Sequence, residues 1–576
     1  MQTLINALTS APQTFSNVFL AVLRYLMPVL AALLLWRCAK PLLSFRREPE
    51  IWAWLCLPDG NKLPITHWEN VIGRSKRSDI VVDFPTISRN HAVLTRYDDG
   101  SWTITDTDSK DGVQVNGQNV RICAIGEEDT ITIGGLDMRL QPISRRQEIH
   151  LAQLRTKASS GGASVANLLL LTVMQVLFCL AFLLCGDPET GGSILLGFGG
   201  IMTCQWLLLL FYLSIRRLSF EVETIAFFLC TIGMAVIATV TPDEAVKQLL
   251  AMVLGLVLFL AVGWSLRDLE RAKKIRYLAT AAGIGLLIFT LIFGTEQNGA
   301  KNWVSIGSMS LQPSELSKVC FVFAGASTMD RIMNKRNLIL FIAYSAVICG
   351  CLALMNDFGT ALIFFCAFLV IAWLRSGSLG TIALAIAALA FAGVLVIRIA
   401  PHALGRFASW RHIWEDPWDS GYQQTRALMC LASGGLFGVG ARKGYLRYAV
   451  YGFAADSDIV FATVSEEWGL LLAIMMVACI VVLGLFAVRS ASVARSGFYI
   501  IGGCTAAGIL LMQAILNCLG TLDVLPLTGV TFPFASNGGS SMIAAWGLLA
   551  FVKAADTRQN ASFAVRLPKN RGKQDE

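Results

Sequence analysis

The sequence predicts a multi-span α-helical membrane protein with one small all-β sandwich set between its first span and the others. Hydrophobic residues make up 55% of its 576 positions and charged residues only 15%, which is too apolar for a single water-soluble domain. From about Pro49 to Pro142 that character is interrupted by short alternating runs, DIVVDF, HAVLTRY, SWTITD and TITIG, separated by Asp, Gly and Asn turns. Such period-two patterning belongs to the strands of a sandwich.

Charge and cysteine usage narrow the class further. The Lys and Arg behind the formal net charge of +8 cluster in short loops between apolar runs, which fits the positive-inside rule and points to membrane topology, with no nucleic-acid partner. The fifteen Cys are scattered, mostly within apolar runs, and only Cys349 and Cys351 are close together. They read as small buried hydrophobes, not as a disulfide framework or a metal site. Absence of a Walker A sequence, a His/Cys ligand cluster and a Gly-x-Ser-x-Gly elbow leaves ATP-driven transport, zinc hydrolysis and serine hydrolysis unsupported.

Residues 1–48 form the first unit, an anchor whose apolar run from Val18 to Trp36 is long enough to span a bilayer. Arg37, Lys40, Arg46 and Arg47 follow it, so it is expected to insert with its N-terminus outside, leaving residues 49–142 in the cytoplasm. Residues 143–215 combine a charged linker, Arg145 to Arg155, with spans near 164–185 and 192–214. Ten further spans fill residues 216–557, near 221–241, 246–265, 277–294, 315–330, 337–355, 358–375, 379–399, 460–488, 497–519 and 540–556. Residues 558–576 are a basic cytoplasmic tail with Arg566, Lys569, Arg571 and Lys573. This alternation places the 294–307, 400–459 and 520–538 stretches opposite the sandwich, on the extracytoplasmic face of a cytoplasmic membrane.

Three signatures in the β segment carry a resemblance: Gly73-Arg74 after Val71-Ile72, Ser88-Arg89-Asn90-His91, and Asn116-Gly117. In order and spacing the segment resembles a forkhead-associated (FHA) domain, a sandwich whose end loops grip a phosphothreonine by charge-assisted hydrogen bonds. The resemblance implies that Arg74 and Ser88 hold the phosphate, that Arg89 meets the peptide, that His91 is a structural loop residue, and that Asn116 belongs to the same recognition set. Where such domains usually carry Asn-Gly, this chain has Asp111-Gly112. A carboxylate there opposes an anionic ligand, leaving open a sandwich that docks a partner without phosphate.

The stretch from Gly421 to Gly469 concentrates Gly, Arg, Tyr and Asp between two apolar runs and ends with Asp458 where the chain turns apolar again. A carboxylate at that boundary is costly unless used or paired. Partial desolvation suits it to accept a proton; a helix-start carboxylate is the plain alternative, and Asp456 the competing one. Glu315 and Lys318, spaced i, i+3 after Pro313, can pair within the bundle, and a structural ion pair is as ready a reading as catalysis. Gly434-Gly435, Gly438, Gly440 and Gly538-Gly539 permit turns or close backbone approach.

The segments NGAKNWVSIGSMSLQPSELSK, NDFGTALIFF, GYQQTRALMCLASGGLFGVG, DIVFATVSEEWG and TGVTFPFASNGGSS resemble, in order, the signatures of the SEDS family (shape, elongation, division and sporulation: RodA, FtsW, SpoVE). The likeness covers the last ten spans, with its large loop between the seventh and eighth, so the expected fold is a SEDS-like ten-helix core plus about three extra spans and a cytoplasmic FHA-like sandwich. It implies a bacterial plasma-membrane enzyme that polymerises lipid II into peptidoglycan strands beside a class B penicillin-binding protein, with a phosphothreonine protein reaching the sandwich. Asp458 matches the family's essential carboxylate, expected to activate the acceptor 4-hydroxyl. Trp303, Gln312, Glu315, Lys318, Arg406 and Gln423 are the expected supporting residues. Arg406, Trp410, Arg411, Arg426, Arg442, Lys443 and Arg447 give the large loop a basic, partly aromatic character suited to a pyrophosphate-linked substrate. Asn537 stands where the family usually has Tyr. A divalent cation, Mg or Mn, is the one cofactor left open. A lipid II flippase and a non-catalytic phospho-dependent scaffold are the alternatives; a transporter should place its charges at midplane in broken helices, whereas the candidates here gather in an outer loop.

Overall fold

The computed structural model describes residues 12–44, 51–144 except 77 and 98–99, 161–558 except 298, 307–308, 330–334, 377–378, 381, 389, 391–408, 447–453 and 495, and residue 561. The expected span at 379–399, together with Arg406 and Arg447, falls wholly or mostly outside the described residues.

Eleven strands form the sandwich: β1 (Ala53–Cys56), β2 (Lys62–Ile65), β3 (Glu69–Gly73), β4 (Ile80–Val81), β5 (Ala92–Arg96), β6 (Trp102–Asp106), β7 (Val113–Val115), β8 (Gln118–Val120), β9 (Ile122–Ile125), β10 (Thr130–Ile133) and β11 (Leu136–Pro142). They make a sheet ordered β2-β1-β11-β10-β7-β8 facing one ordered β4-β3-β5-β6-β9. Alternate residues such as Leu55, Ile72, Leu94, Ile104, Ile131, Ile133 and Leu140 form its buried core, as the period of two requires.

The helices are α1 (Gln13–Leu43), α2 (Gly161–Cys185), α3 (Gly191–Ser214), α4 (Glu221–Val240), α5 (Ala245–Leu266), α6 (Leu269–Phe293), α7 (Pro313–Met329), α8 (Lys335–Leu354), α9 (Phe358–Ser376), α10 (Tyr422–Gly434), α11 (Val460–Trp468), α12 (Leu470–Ala491), α13 (Gly497–Thr521) and α14 (Gly539–Ala554). Ten helices among the described residues are long and apolar enough to cross a membrane. Between α6 and α7 lies an unforeseen small sheet of β12 (Thr295–Gln297), β13 (Ala300–Ile306) and β14 (Met309–Leu311).

Helix α4 is the axis, with its whole membrane-length window buried. The extra helices join it through polar pairs in an otherwise apolar core. Gln175 and Gln205 exchange amide hydrogen bonds of 2.9 and 2.7 Å, and Gln175 also donates to Thr231 of α4 at 3.0 Å. Buried side-chain amides of this kind act as glue between helices in lipid, where no water competes.

A buried ionic knot closes one end of the bundle. Lys553 of α14 pairs with Glu223 of α4 at 3.1 Å, both fully buried, and Arg558 pairs with Asp556 at 2.8 Å and Glu221 at 3.4 Å. Tyr212 donates to Glu223 at 2.7 Å, and Arg558 Nη1 donates to the Pro41 carbonyl of α1 at 3.3 Å. Arg558, read above as the start of a solvated tail, is thus part of the core.

The expected span at 460–488 is broken. Gly469, at φ +89°, separates α11 from α12, and residues 434–440 cross the break. Val439 and Gly440 donate to the Glu466 and Glu467 carbonyls at 2.9 and 3.0 Å, while Leu470 and Leu471 donate to the Gly435 and Leu436 carbonyls at 3.0 and 3.3 Å. The hairpin thereby satisfies the last carbonyls of one helix and the first N–H groups of the next, groups that lipid could not satisfy.

This crossing requires Gly438, which sits at φ +79° with a Cβ direction aimed into the Glu467 carbonyl. Gly438→Ala is expected to lower thermal stability of the purified chain by more than the roughly 1–2 kcal/mol of left-handed strain alone. Gly484→Ala, in the open on α12, is expected to be neutral or stabilising by up to roughly 1 kcal/mol.

Candidate active site

Asp458 sits in the turn just before α11, half-buried. Three consecutive carbonyls of that turn are each held by a separate donor. The Asn537 N–H reaches Asp456 O at 2.7 Å, Ser536 Oγ reaches Ser457 O at 2.6 Å, and Asn517 Nδ2 of α13 reaches Asp458 O at 2.8 Å. Asn517 Nδ2 also lies 2.9 Å from Val530 O, and Gln248 of α5 donates to Ser536 O at 3.0 Å. The turn is therefore fixed by α5, α13 and the 528–538 segment together. Gly529, at φ +70°, lies against the Asp458 carboxylate, with a Cβ position 3.4 Å from Oδ2.

Asp456, the competing carboxylate, is bound through its side chain: Oδ2 accepts from Thr241 Oγ1 at 2.9 Å and from Asn537 Nδ2 at 2.8 Å. The same amide nitrogen lies 2.8 Å from Glu244 Oε2.

The remaining expected residues divide into groups. Gln312 Nε2 and Asn302 Nδ2 both donate to Asp357 Oδ2 at 3.1 Å, and the Gln312 N–H meets Ser540 Oγ at 3.2 Å. Since Thr531 and Ser541 hydroxyls are 2.6 Å apart, the 528–541 segment links this group to the Asp458 turn. Glu315 and Lys318 form a buried pair at 2.7 Å, the ion pair anticipated from their spacing. Trp303 lies half-buried in β13, its carbonyl accepting from Thr295 Oγ1 at 3.1 Å. Gln423 is in the first turn of α10, also half-buried.

In the large loop, Arg426 is enclosed between the rings of Trp418 and Tyr422, each 4.6 Å away, and donates to Pro417 O at 2.8 Å. Arg442 pairs with Asp187, at the turn between α2 and α3, at 2.9 Å. Both basic side chains are thus engaged with protein groups, while Lys443 is exposed. Trp410 Nε1 reaches Val524 O at 3.2 Å and the Arg411 N–H reaches Asp523 at 3.2 Å, which ties the loop to the end of α13. Among the described residues no three His, Cys, Asp or Glu side chains gather as a metal's ligands.

Sequence reading missed Asn517, Ser536, Thr241, Glu244, Asp357 and Arg24. An Asn inside an apolar run was the available signal for Asn517, and an Arg inside the first span the signal for Arg24. Arg24 Nη1 lies 3.4 Å from Gly438 O, and the Tyr25 ring packs at a tilt against Phe437, 4.9 Å between centroids, so α1 supports the crossing hairpin.

At the sandwich, the ends of β3, β4–β5 and β6–β7 converge. Arg74 N–H donates to Ser88 O at 3.0 Å, Lys110 N–H to Ser88 Oγ at 3.1 Å, and His91 bridges the Ser88 N–H at 3.1 Å and Gly112 O at 2.9 Å. Arg74, Arg89, Lys110 and Asp111 are exposed around this platform. Asn116 is not with them. It lies at the far end of β7, in the β7–β8 turn with φ +53°, where its amide donates to Asp129 at 2.7 Å and its oxygen accepts from the Thr130 N–H at 3.0 Å.

Fold and site define a polytopic membrane protein that presents one aspartate from a clamped turn and carries a separate β-sandwich. The chain belongs to the FtsW/RodA/SpoVE family, whose model, described as a cell cycle protein, matches residues 235–561, and it contains an FHA domain matched over residues 70–134. It is 29% identical over 333 residues to the peptidoglycan glycosyltransferase RodA of Mycobacterium tuberculosis, covering 54% of this chain and 69% of that protein. With a probable peptidoglycan glycosyltransferase FtsW of Nitrosococcus halophilus it shares 32% over 307 residues, 52% of this chain and 78% of that one. A solved chain from a peptidoglycan synthase complex overlays with a TM-score of 0.49 at 24% identity, covering 58% of this chain and 96% of that chain.

Asn116 provides a test of the sandwich geometry. The Gly126 N–H and then the Asn116 amide hold the Asp129 carboxyl below its ordinary 3.8. A depressed folded value means that this stabilisation is present above the unfolded value and is lost as pH falls through the folded one. Asn116→Ala is expected to lower the thermal stability through loss of the side-chain bonds to Asp129 and the Thr130 N–H and to reduce, without abolishing, that acid dependence, since the Gly126 N–H remains, while phosphothreonine-peptide affinity in titration calorimetry stays unchanged.

Proposed function

We propose that this protein is a peptidoglycan glycosyltransferase that polymerises lipid II at the outer face of the cytoplasmic membrane, with Asp458 as general base. The observation that carries this reading is the turn at 456–458, whose three held carbonyls fix the Asp458 carboxylate at the head of α11. A general base must be placed before its basicity matters. In the step, the acceptor sugar hydroxyl loses its proton to Asp458 as its oxygen bonds to the anomeric carbon of the lipid-linked donor. The anomeric C–O bond breaks with its electrons leaving on the lipid diphosphate. A class B penicillin-binding protein is the expected crosslinking partner, and the FHA domain is read as cytoplasmic, reporting a phosphothreonine protein through Arg74 and Ser88.

One observation favours transport as a second reading: the helix broken at Gly469 is a device that transporters use. Its exposed backbone groups, however, are consumed by residues 434–440, not offered to an ion or substrate path. That supports the enzyme.

Asp458→Asn retains size and one acceptor but no base. Glycan polymerisation by the purified chain is expected to fall by about 10²-fold or more, the usual scale for a positioned base, with unchanged gel-filtration behaviour. Wild-type product from the variant would remove Asp458 from the mechanism; no product from wild type, with or without a cognate transpeptidase, would favour the flippase.

For the sandwich, Asp111→Asn removes a negative charge beside the anion and adds an amide donor. It is expected to tighten phosphothreonine-peptide binding in calorimetry. Equal affinity of wild type for phosphorylated and unphosphorylated peptide would leave a docking module without phosphate recognition.

A further inference from the structure

We infer that Asn537 is a positioning residue: by binding Asp456 together with Glu244, its side-chain amide fixes the 456–458 turn in the arrangement that presents Asp458 for proton transfer. The inference rests on the reading of Asp458 as general base.

A primary amide nitrogen carries two N–H donors. In Asn537 one faces Asp456 Oδ2 and the other Glu244 Oε2, both at 2.8 Å. These carboxylates come from distant parts of the chain, Glu244 from the short connection between α4 and α5, Asp456 from the end of the large loop. Without a donor between them, two carboxylates converging on one point repel. Lys247 engages the other oxygen of Glu244 at 3.2 Å on the exposed side, and Thr241 Oγ1 engages Asp456 Oδ2 at 2.9 Å. Neither of these spans both acids; Asn537 does.

The backbone of the same residue acts on the same turn, its N–H on Asp456 O at 2.7 Å, and its neighbour Ser536 holds Ser457 O. Asn537 therefore grips Asp456 at both carbonyl and carboxylate. With two donors on its Oδ2, Asp456 is committed to the scaffold, whereas Asp458, two residues on, is anchored through its carbonyl by Asn517. The amide thus separates the roles of two aspartates that the sequence places almost side by side.

The test measures kcat and KM for lipid II polymerisation by the purified full chain. Asn537→Leu is expected to lower kcat by about 10- to 10²-fold, the penalty of a displaced catalytic group, with KM unchanged. Adding Glu244→Gln removes the repulsion and returns an amide donor beside Asp456, so the double variant is expected to regain part of the lost kcat. Asn537→Asp preserves shape while adding a third carboxylate; it should lose kcat as well, again with partial recovery on Glu244→Gln, and it decides the matter should the leucine variant fail to fold. Wild-type kcat in Asn537→Leu or Asn537→Asp overturns the inference, as does a loss that Glu244→Gln leaves untouched. If wild type and Asp458→Asn polymerise equally, it is the general-base reading that fails, and the inference falls with it.

Discussion

The break at Gly469 is the constraint on which the outer half of the molecule depends. A continuous helix from 460 to 491 would satisfy its own backbone and leave nothing for the large loop to hold. By interrupting it, the chain exposes carbonyls at the end of α11 and N–H groups at the start of α12 in a place without water, and each unsatisfied group would cost several kcal/mol there. Among the described residues, 434–440 meet both sets. Once they are bound, Glu466 receives the Tyr445 and Leu446 N–H groups at 2.6 and 3.1 Å, and Glu467 receives Thr239 of α4 at 2.7 Å. The buried acids of the SEEWG motif thus fasten the loop, and α11, capped in this way, is a fixed platform for Asp458.

The helices outside the 235–561 region are structurally part of this platform. Arg24 and Tyr25 of α1 touch the crossing hairpin, Asp187 after α2 pairs with Arg442, and the Gln175–Gln205–Thr231 contacts bind α2 and α3 to α4. Buried charges are expensive when alone and tolerable when matched. The knot at the other end obeys the same rule, setting Glu221, Glu223 and Asp556 against Lys553 and Arg558.

What the sequence revealed follows from what periodicity measures. Run length located the spans and alternation located the sandwich, because both report burial averaged over many residues. The break at Gly469 was passed over, although Ser465, Glu466 and Glu467 stand just before it, because a single Gly costs a helix little unless something else occupies the gap. Arg558 was misplaced because charge in a tail-like stretch is normally solvated, and only the fold shows the acids waiting for it. Asn116 stood in the motif but at the wrong end of β7, three residues from the recognition loops along a strand that carries it away from them. The sequence singled out Asp458 by its position before an apolar run but not the donors around its turn, since Asn517, Ser536 and Asn537 meet only when α13 and the 528–538 segment pack against it.

Helix α4 relates the two functional ends. Its first residues, Glu221 and Glu223, lie in the knot that also holds Pro41 at the end of α1, where the chain leaves for the FHA domain; its last turn carries Thr239 beside Glu467, and Thr241 beyond it touches Asp456. Twenty residues of helix span about 30 Å, the thickness of the hydrocarbon core. The contact of Trp68 with Tyr499, 6.4 Å between rings, lies where the sandwich meets the start of α13, while Asn517 near the other end of α13 holds the Asp458 turn. Two rods running in the same direction, both largely buried, therefore separate the sandwich from the aspartate. A buried rod transmits a signal only if it has a second packed arrangement to adopt, and the matched ions at the first end of α4 favour one.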